Sequence, residues 1–257
     1  MTLPGAPIRL IVTADDVGLH PGMTAGAIRA HGEGIVTACS VVANGAAFDD
    51  AVAQLKSVPS LEVGVHLALV EERSLTGMHF PTSYLTFVLG RKDFAAIERE
   101  LRAQIERVIA SGLRVTHVNG HQHLHMLPSI FAIVVRLANE YRIGYVRRVC
   151  DRGGRGGVVR RASIAAVNQL GRRAAAPRSN DLTIGIMEAG HLTAARIVAL
   201  LQHADRTTEL VTHPGIGVDA YPHWRYAWDK ETAALCDRRV REAIANRGIE
   251  LIAPSQA

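Results

Sequence analysis

Ile8-Arg9-Leu10-Ile11-Val12-Thr13-Ala14-Asp15-Asp16-Val17-Gly18 is the stretch whose reading decides the fold. Apart from Arg9, residues 8–13 are aliphatic or β-branched with no polar alternation, the pattern of a short strand covered on both faces. Two carboxylates follow at once. Apolar β-branched runs recur at 36–42, 61–67, 115–118, 144–149, 182–186, 209–212 and 249–252. Helical periodicity fills most of the gaps, at 22–31, 48–55, 94–109, 128–141, 193–201 and 230–245. Strand then helix, about eight times over, predicts an α/β chain: a distorted, TIM-like (β/α) barrel of seven or eight mostly parallel strands, with a doubly wound sheet as the alternative. No Pro/Ser-rich linker and no shorter repeat interrupts the pattern, so residues 1–257 are expected to form a single domain.

The polar residues sit where such a barrel would use them. Asp15 and Asp16 follow the first strand, His66 ends the third, 119–125 follow the fourth and His213 ends the seventh. The C-terminal ends of parallel strands converge on one mouth, so residues a hundred positions apart can share a pocket.

Composition excludes several other classes. The chain has 257 residues, 29 Lys+Arg against 24 Asp+Glu, and three cysteines, Cys39, Cys150 and Cys236, in no Cys-x-x-Cys pair. A disulfide framework and a thiolate zinc site are therefore not expected. No apolar run reaches 18 residues, and the start of the chain has neither a basic segment nor a long apolar core. The expectation is a cytoplasmic protein without a membrane span. The formal charge of +5 is local: residues 147–178 carry nine arginines and a single acid, Asp151, which leaves the rest mildly acidic. That segment also holds Gly153, Gly154, Gly156 and Gly157 and no interleaved aromatic residue. It reads as an insertion or flap at about 150–178 rather than a nucleic-acid surface.

Each candidate residue has a plainer alternative. Asp15 and Asp16 could cap the next helix, with Gly18 and Pro21 in the turn; as a mouth pair, one would coordinate a cation while the other faces substrate. His66 lies inside an apolar strand, where a core histidine satisfied by neighbours is the ordinary case. In His117-Val118-Asn119-Gly120-His121-Gln122-His123-Leu124-His125, an extended loop would project 121, 123 and 125 to one side, a helix 121 and 125. Asp with two His leaves coordination sites open, as a catalytic metal requires. His213, before Pro214-Gly215, suits a fourth ligand or a general acid.

Taken together, 10–19, Gly34-Ile35-Val36-Thr37, Gly64-Val65-His66-Leu67, 117–125 and Thr212-His213-Pro214-Gly215 resemble, in order and spacing over roughly 8–252, the YdjC-like carbohydrate deacetylases, which include chitooligosaccharide and hopanoid-associated members. The resemblance implies divalent-metal-dependent hydrolysis of an N-acetyl group on an amino sugar. By motif position, Asp16, His66 and His121 would be metal ligands, Asp15 the catalytic base and His213 the proton donor. His123 and His125 would line the pocket or stand behind it. One divalent ion is implied, zinc or magnesium first, nickel or manganese also compatible. The acceptor is an acetylated amino sugar, with a lipid-linked glycan such as an acetylglucosaminyl hopanoid slightly favoured over a soluble chitooligosaccharide. Peripheral membrane contact and a homodimer are left open, and no nucleic-acid partner is expected. Two features depart from the family: Val17 replaces a phenylalanine, and the stretch after Glu71 is compressed while 147–178 matches no motif. Arg147 and Arg148, at the end of the fifth strand, would reach the mouth and help hold Asp15 ionised. The rival chemistries are a metal-dependent phosphoesterase or sugar isomerase, and a non-catalytic metal or sugar binder.

Overall fold

In the computed structural model, which describes residues 7–150 and 177–257, β1 (Arg9–Val17) runs up the middle of the sheet. Then follow α1 (Pro21–Gly32), β2 (Ala38–Val41), α2 (Phe48–Leu55), β3 (Glu62–Leu67), α3 (Tyr84–Leu89), α4 (Phe94–Ala110), β4 (Val115–Gly120), α5 (Pro128–Glu140) and β5 (Tyr145–Val146). Beyond 176 come β6 (Leu182–Ile184), α6 (Ala194–Leu201), β7 (Thr207–Thr212), α7 (Trp228–Leu235), α8 (Arg238–Asn246) and β8 (Glu250–Leu251). The sheet order is β5-β4-β3-β2-β1-β7-β6, with β8 paired to the foot of β1, and every pairing is parallel. Backbone bonds from Val146 to Arg178, Arg178 to Gly144 and Thr183 to Cys150 draw the two ends of the curled sheet together. The result is a half-barrel ringed by helices, a distorted relative of the TIM barrel. The greater part of the Arg/Gly-rich flap expected at 150–178 lies outside the described residues.

Both faces of the strands are buried, and residue parity sorts what lies on each. Leu10, Val12 and Ala14 of β1, Cys39 and Val41 of β2, Val63, Val65 and Leu67 of β3, and Val118, Val146 and Leu210 pack into the large apolar cluster under the helices. The alternate positions turn into the barrel. At the bottom Ile11, Tyr145 and Ile252 form a small apolar layer. Above them lie polar side chains: Thr13, Asp15, Ser40, His66, Asn119, Arg147 and Glu209, all buried. Gly64 is part of this packing, since a Cβ there would lie 2.3 Å from the His117 ring.

Three local readings change. The first strand does not end at Thr13: it runs to Val17 through a register shift against β2 between Ala14 and Val17, and Asp16 takes φ 62°. The helix expected at 230–245 is two, because Asp237 is extended (φ −68°, ψ 131°) and accepts from the Arg239 N–H as the cap of a new helix. Short α3, started by a Ser83–Thr86 capping box, has too few turns to show a period. Among the described residues no helix is long and apolar enough to cross a membrane.

Candidate active site

Alternation along β1 aims Asp15 into the barrel and would aim Asp16 away from it. The left-handed backbone at Asp16 reverses that direction, so two consecutive carboxylates serve one cavity at different depths. Asp15 is the deeper. Its Oδ1 accepts from Ser40 Oγ (2.8 Å), Asn119 Nδ2 (3.0 Å) and Arg147 Nη2 (2.9 Å), and its Oδ2 from Arg147 Nη1 (2.5 Å). Burial opposes its ionisation, but the Arg147 charge and bonds outweigh it and hold the carboxyl below the usual carboxylate range.

Arg147 is completely buried and spans two anions. Its Nε donates to Glu209 Oε1 at 2.8 Å, and Glu209 also accepts from Thr13 Oγ1 (2.7 Å) and Tyr145 OH (2.7 Å). Asp15, Arg147 and Glu209 thus form an ion triad across β1, β5 and β7, with the remaining acceptor positions met by hydroxyls. Such a triad is costly to bury and costlier to break, because removing the cation would strand two carboxylates in the barrel.

Asp16 stands higher and meets two imidazoles. Its Oδ1 lies 3.2 Å from His66 Nε2 and 3.0 Å from His121 Nδ1. One ligand atom from each of these three buried residues falls within 4.8 Å of the others. The supporting bonds match what a divalent ion demands of such donors. His66 Nδ1 sits 2.7 Å from Asn119 Oδ1, while the Asn119 amide donates to Asp15 and Ser40, so its oxygen faces the ring. That makes His66 Nδ1 the donor to Asn119 and turns Nε2 toward Asp16. His121 Nε2 sits 3.1 Å from Glu71 Oε2, a carboxylate–histidine pair with Nδ1 left for the cluster. Burial lowers the His121 pKa, and Asp16 and Glu71 together overcome that and push it up to about 10. The donor set therefore fits a divalent cation.

His213 follows β7 and borders the same space, with Nε2 3.9 Å from Asp16 Oδ2 and its ring 5.3 Å from Tyr226. Its Nδ1 is buried and has no partner among the described residues, and burial holds its pKa below the usual value. Its backbone N–H donates to Glu231 Oε1 at 2.6 Å; Glu231 Oε2 takes the Leu192 N–H, so one carboxylate on α7 ties the end of β7 to the 190–192 turn. Burial pushes Glu231 up to about 7.

The His-rich loop is neither extended nor a regular helix. It is a short 3-10 turn (His121–Met126) in which Gln122 and His123 are left-handed. Only His121 joins the carboxylate cluster. His125 points behind it, Nε2 3.2 Å from the Arg147 carbonyl, and His123 packs at 6.4 Å from His125. Burial keeps both neutral, His125 at about 3.

Sequence reasoning missed the loop-borne part. Glu71, after β3, is held by α4, where buried Gln104 grips both backbone groups of Ala68 and Glu100 accepts from Leu75 and Thr76. Trp224, from the loop before α7, lies 5.3 Å from the His121 ring. Ser40, Asn119 and Glu209 were legible in principle: each is a polar residue at an inward, period-two position of an apolar strand. Of the eight non-glycine residues with positive φ among those described, six lie in or beside the segments that build this mouth: Asp16, Glu71, Gln122 and His123 in the turn after His121, and Tyr221 and Arg225 flanking the turn that carries Trp224. Backbone strain is concentrated at the site.

The fold has close counterparts. A crystal structure from Enterococcus faecalis V583, named provisionally for cellobiose-phosphate cleavage, superposes with a TM-score of 0.79 at 22% identity, over 98% of this chain and 99% of that one. A protein of Brevibacillus brevis named carbohydrate deacetylase is 39% identical over 147 residues, 53% of this chain and 58% of the relative, so that match spans under two thirds of the relative's own length. A carbohydrate deacetylase of Geobacillus stearothermophilus is 30% identical over 96% of both chains. Residues 9–246 match the YdjC-like protein family. With nearly the whole barrel and every strand that supplies the mouth inside that match, this chain belongs to the YdjC-like protein family.

Proposed function

We propose that this protein is a metal-dependent carbohydrate deacetylase that hydrolyses the N-acetyl group of an acetylated amino sugar and releases acetate. One observation carries the reading: a three-donor cation cluster (Asp16, His66, His121) shares a barrel mouth with a carboxylate outside that cluster, Asp15, and with an imidazole, His213, whose Nδ1 no other group engages among the described residues. A binding protein would have no use for the last two. The names of the Geobacillus and Brevibacillus relatives support the same activity.

Asp16, His66 and His121 would hold the divalent ion, which when bound supplies a Lewis acid toward the acetamide oxygen and lowers the pKa of water. The protein's own groups do the rest. Asp15, kept ionised by Arg147, Ser40 and Asn119, accepts a proton from the attacking water. His213 delivers a proton to the departing amine nitrogen as the C–N bond breaks. One water is consumed, acetate and a free amine leave, and exchange with solvent restores both groups.

For the acceptor we favour a lipid-linked amino sugar. Tyr84, Leu85 and Leu89 of α3, on the excursion that leaves the mouth after β3, are exposed, Leu89 by 77%, and offer apolar surface to an aglycone. The test is acetate release from a panel of free and lipid-linked N-acetylated sugars, with phosphorylated sugars beside them and with the ion removed by chelation and restored. Acetate release that disappears with chelator supports the proposal; phosphate release without acetate sinks it. Asp15→Asn should bind the ion as wild type does and lose about 10²–10⁴-fold in rate.

A further inference from the structure

The loop from 214 to 227 places an aromatic surface against the groups assigned above, and the chemistry just described gives it no task. Tyr221 and Trp224 stack at 4.6 Å and 26°, and Trp224 and Tyr226 meet at 5.5 Å. Trp224 borders His121 and Tyr226 borders His213, so the two rings form a wall between the cation cluster and the imidazole. All three rings are half-buried, and they rest on a small core of Leu19, Met23, Val42, Ala68 and Trp228.

The wall is held from several sides. Tyr221 OH donates to Glu72 at 2.9 Å, the Ala227 N–H bonds the Gly190 carbonyl, and a Cβ at Gly190 would strike the Tyr226 ring at 2.0 Å. Tyr221 and Arg225, which flank the 3-10 turn Pro222–Trp224, are both left-handed. Simple burial would not call for strained non-glycine backbone and half-exposed indole and phenol rings beside charged groups.

We propose that Trp224 and Tyr226 form a carbohydrate-stacking subsite that binds the C–H face of the pyranose carrying the reacting acetamide. This rests on the deacetylase reading and adds how the sugar is held. Axial C–H groups of a pyranose present an apolar face that gains by leaving water against an aromatic surface, while its hydroxyls stay hydrated. A wall spanning the cation cluster and His213 fixes the ring so that its 2-acetamido group points between them.

The chain has two tryptophans, Trp224 and Trp228, which allows a binding test without turnover. In Trp228→Phe protein, titration with β-1,4-linked N-acetylglucosamine dimer should give a saturable change in Trp224 fluorescence; in Trp224→Phe protein, where Trp228 is the reporter, it should not. In kinetics, Trp224→Ala should raise KM for the acetylated sugar so that its loss there exceeds its loss on 4-nitrophenyl acetate, which has no sugar ring, by roughly three- to tenfold. Trp224→Tyr should restore most of the difference, which also guards against a misfolded alanine variant. Equal losses on both substrates, or no fluorescence change in Trp228→Phe protein, overturns the subsite. If wild type binds the dimer but releases no acetate from any sugar, the deacetylase reading fails while the subsite stands.

Discussion

Inside the barrel, one guanidinium, Arg147, bridges the carboxylates of Asp15 and Glu209, and almost every remaining acceptor is filled by residues on β1, β2, β4 and β5. At the rim, Glu71, Tyr221, Trp224 and Tyr226 stand on loops, half-exposed and in part on left-handed backbone. The first region is positioned by sheet register, which a slip of one residue would destroy, and the second by a few specific contacts. Strand-borne groups are therefore suited to chemistry that needs fixed charges, and loop-borne groups to recognising what arrives.

The comparison breaks most readily at Arg147. Arg147→Met leaves two buried carboxylates facing each other and should cost about 3–5 kcal/mol, read as a fall in the urea midpoint at unchanged slope. Trp224→Ala in the same assay should stay within about 1 kcal/mol. Equal midpoint shifts for the two variants would erase the distinction between the regions.

Glu231 joins the regions, and its effect follows pH. Its folded pKa of about 7 lies above the ordinary 4.5, so the unfolded chain loses the proton first. The stability supplied by the protonated carboxyl is complete below about pH 4.5 and is lost as pH rises through about 7, a change on the order of 3 kcal/mol. Unfolding free energies at pH 5 and pH 8 should show this decline in wild type and not in Glu231→Gln. The same pH dependence in both would remove Glu231 from the account.

Glu71 carries a smaller effect but a more specific one. Glu71→Gln keeps the side-chain shape but replaces the anion that orients His121, and should weaken zinc binding about 10–100-fold in calorimetric titration. Unchanged affinity would mean that the imidazole is fixed by β4 and the 3-10 turn alone.

How much of this the sequence revealed follows the same division. Parallel strands recurring with helices make the distorted barrel legible, and the strand-end rule puts Asp15, Asp16, His66, His121 and His213 at one mouth. Parity singles out Ser40, Asn119 and Glu209 as polar residues on the inward face of apolar strands. The aromatic loop had no such rule. Its position depends on Gly190 making room for Tyr226, on Glu72 taking the Tyr221 hydroxyl and on α7 gripping the end of β7, all contacts between segments distant in sequence. Asp16 was found as a residue but not as a conformation, since nothing local announces a left-handed aspartate inside a strand.

The finest test removes one hydroxyl from each region. Ser40 Oγ donates to Asp15 and accepts from Asn119, yet Asp15 keeps Arg147 and Asn119, and Asn119 keeps Asp15. Ser40→Ala therefore strands no buried group and should cost about 1 kcal/mol of stability. Its kinetic effect should fall on kcat, because the carboxylate it loosens takes part in proton transfer and not in holding the sugar. Tyr221→Phe removes the bond to Glu72, whose carboxyl is half-buried and can turn to water, so stability should change by roughly half as much or less. Tyr221 backs Trp224 at stacking distance, so the wall shifts while the ion triad does not, and the effect should fall on KM. If both variants alter kcat and leave KM alone, strand and rim act as one unit and the division between chemistry and recognition is wrong.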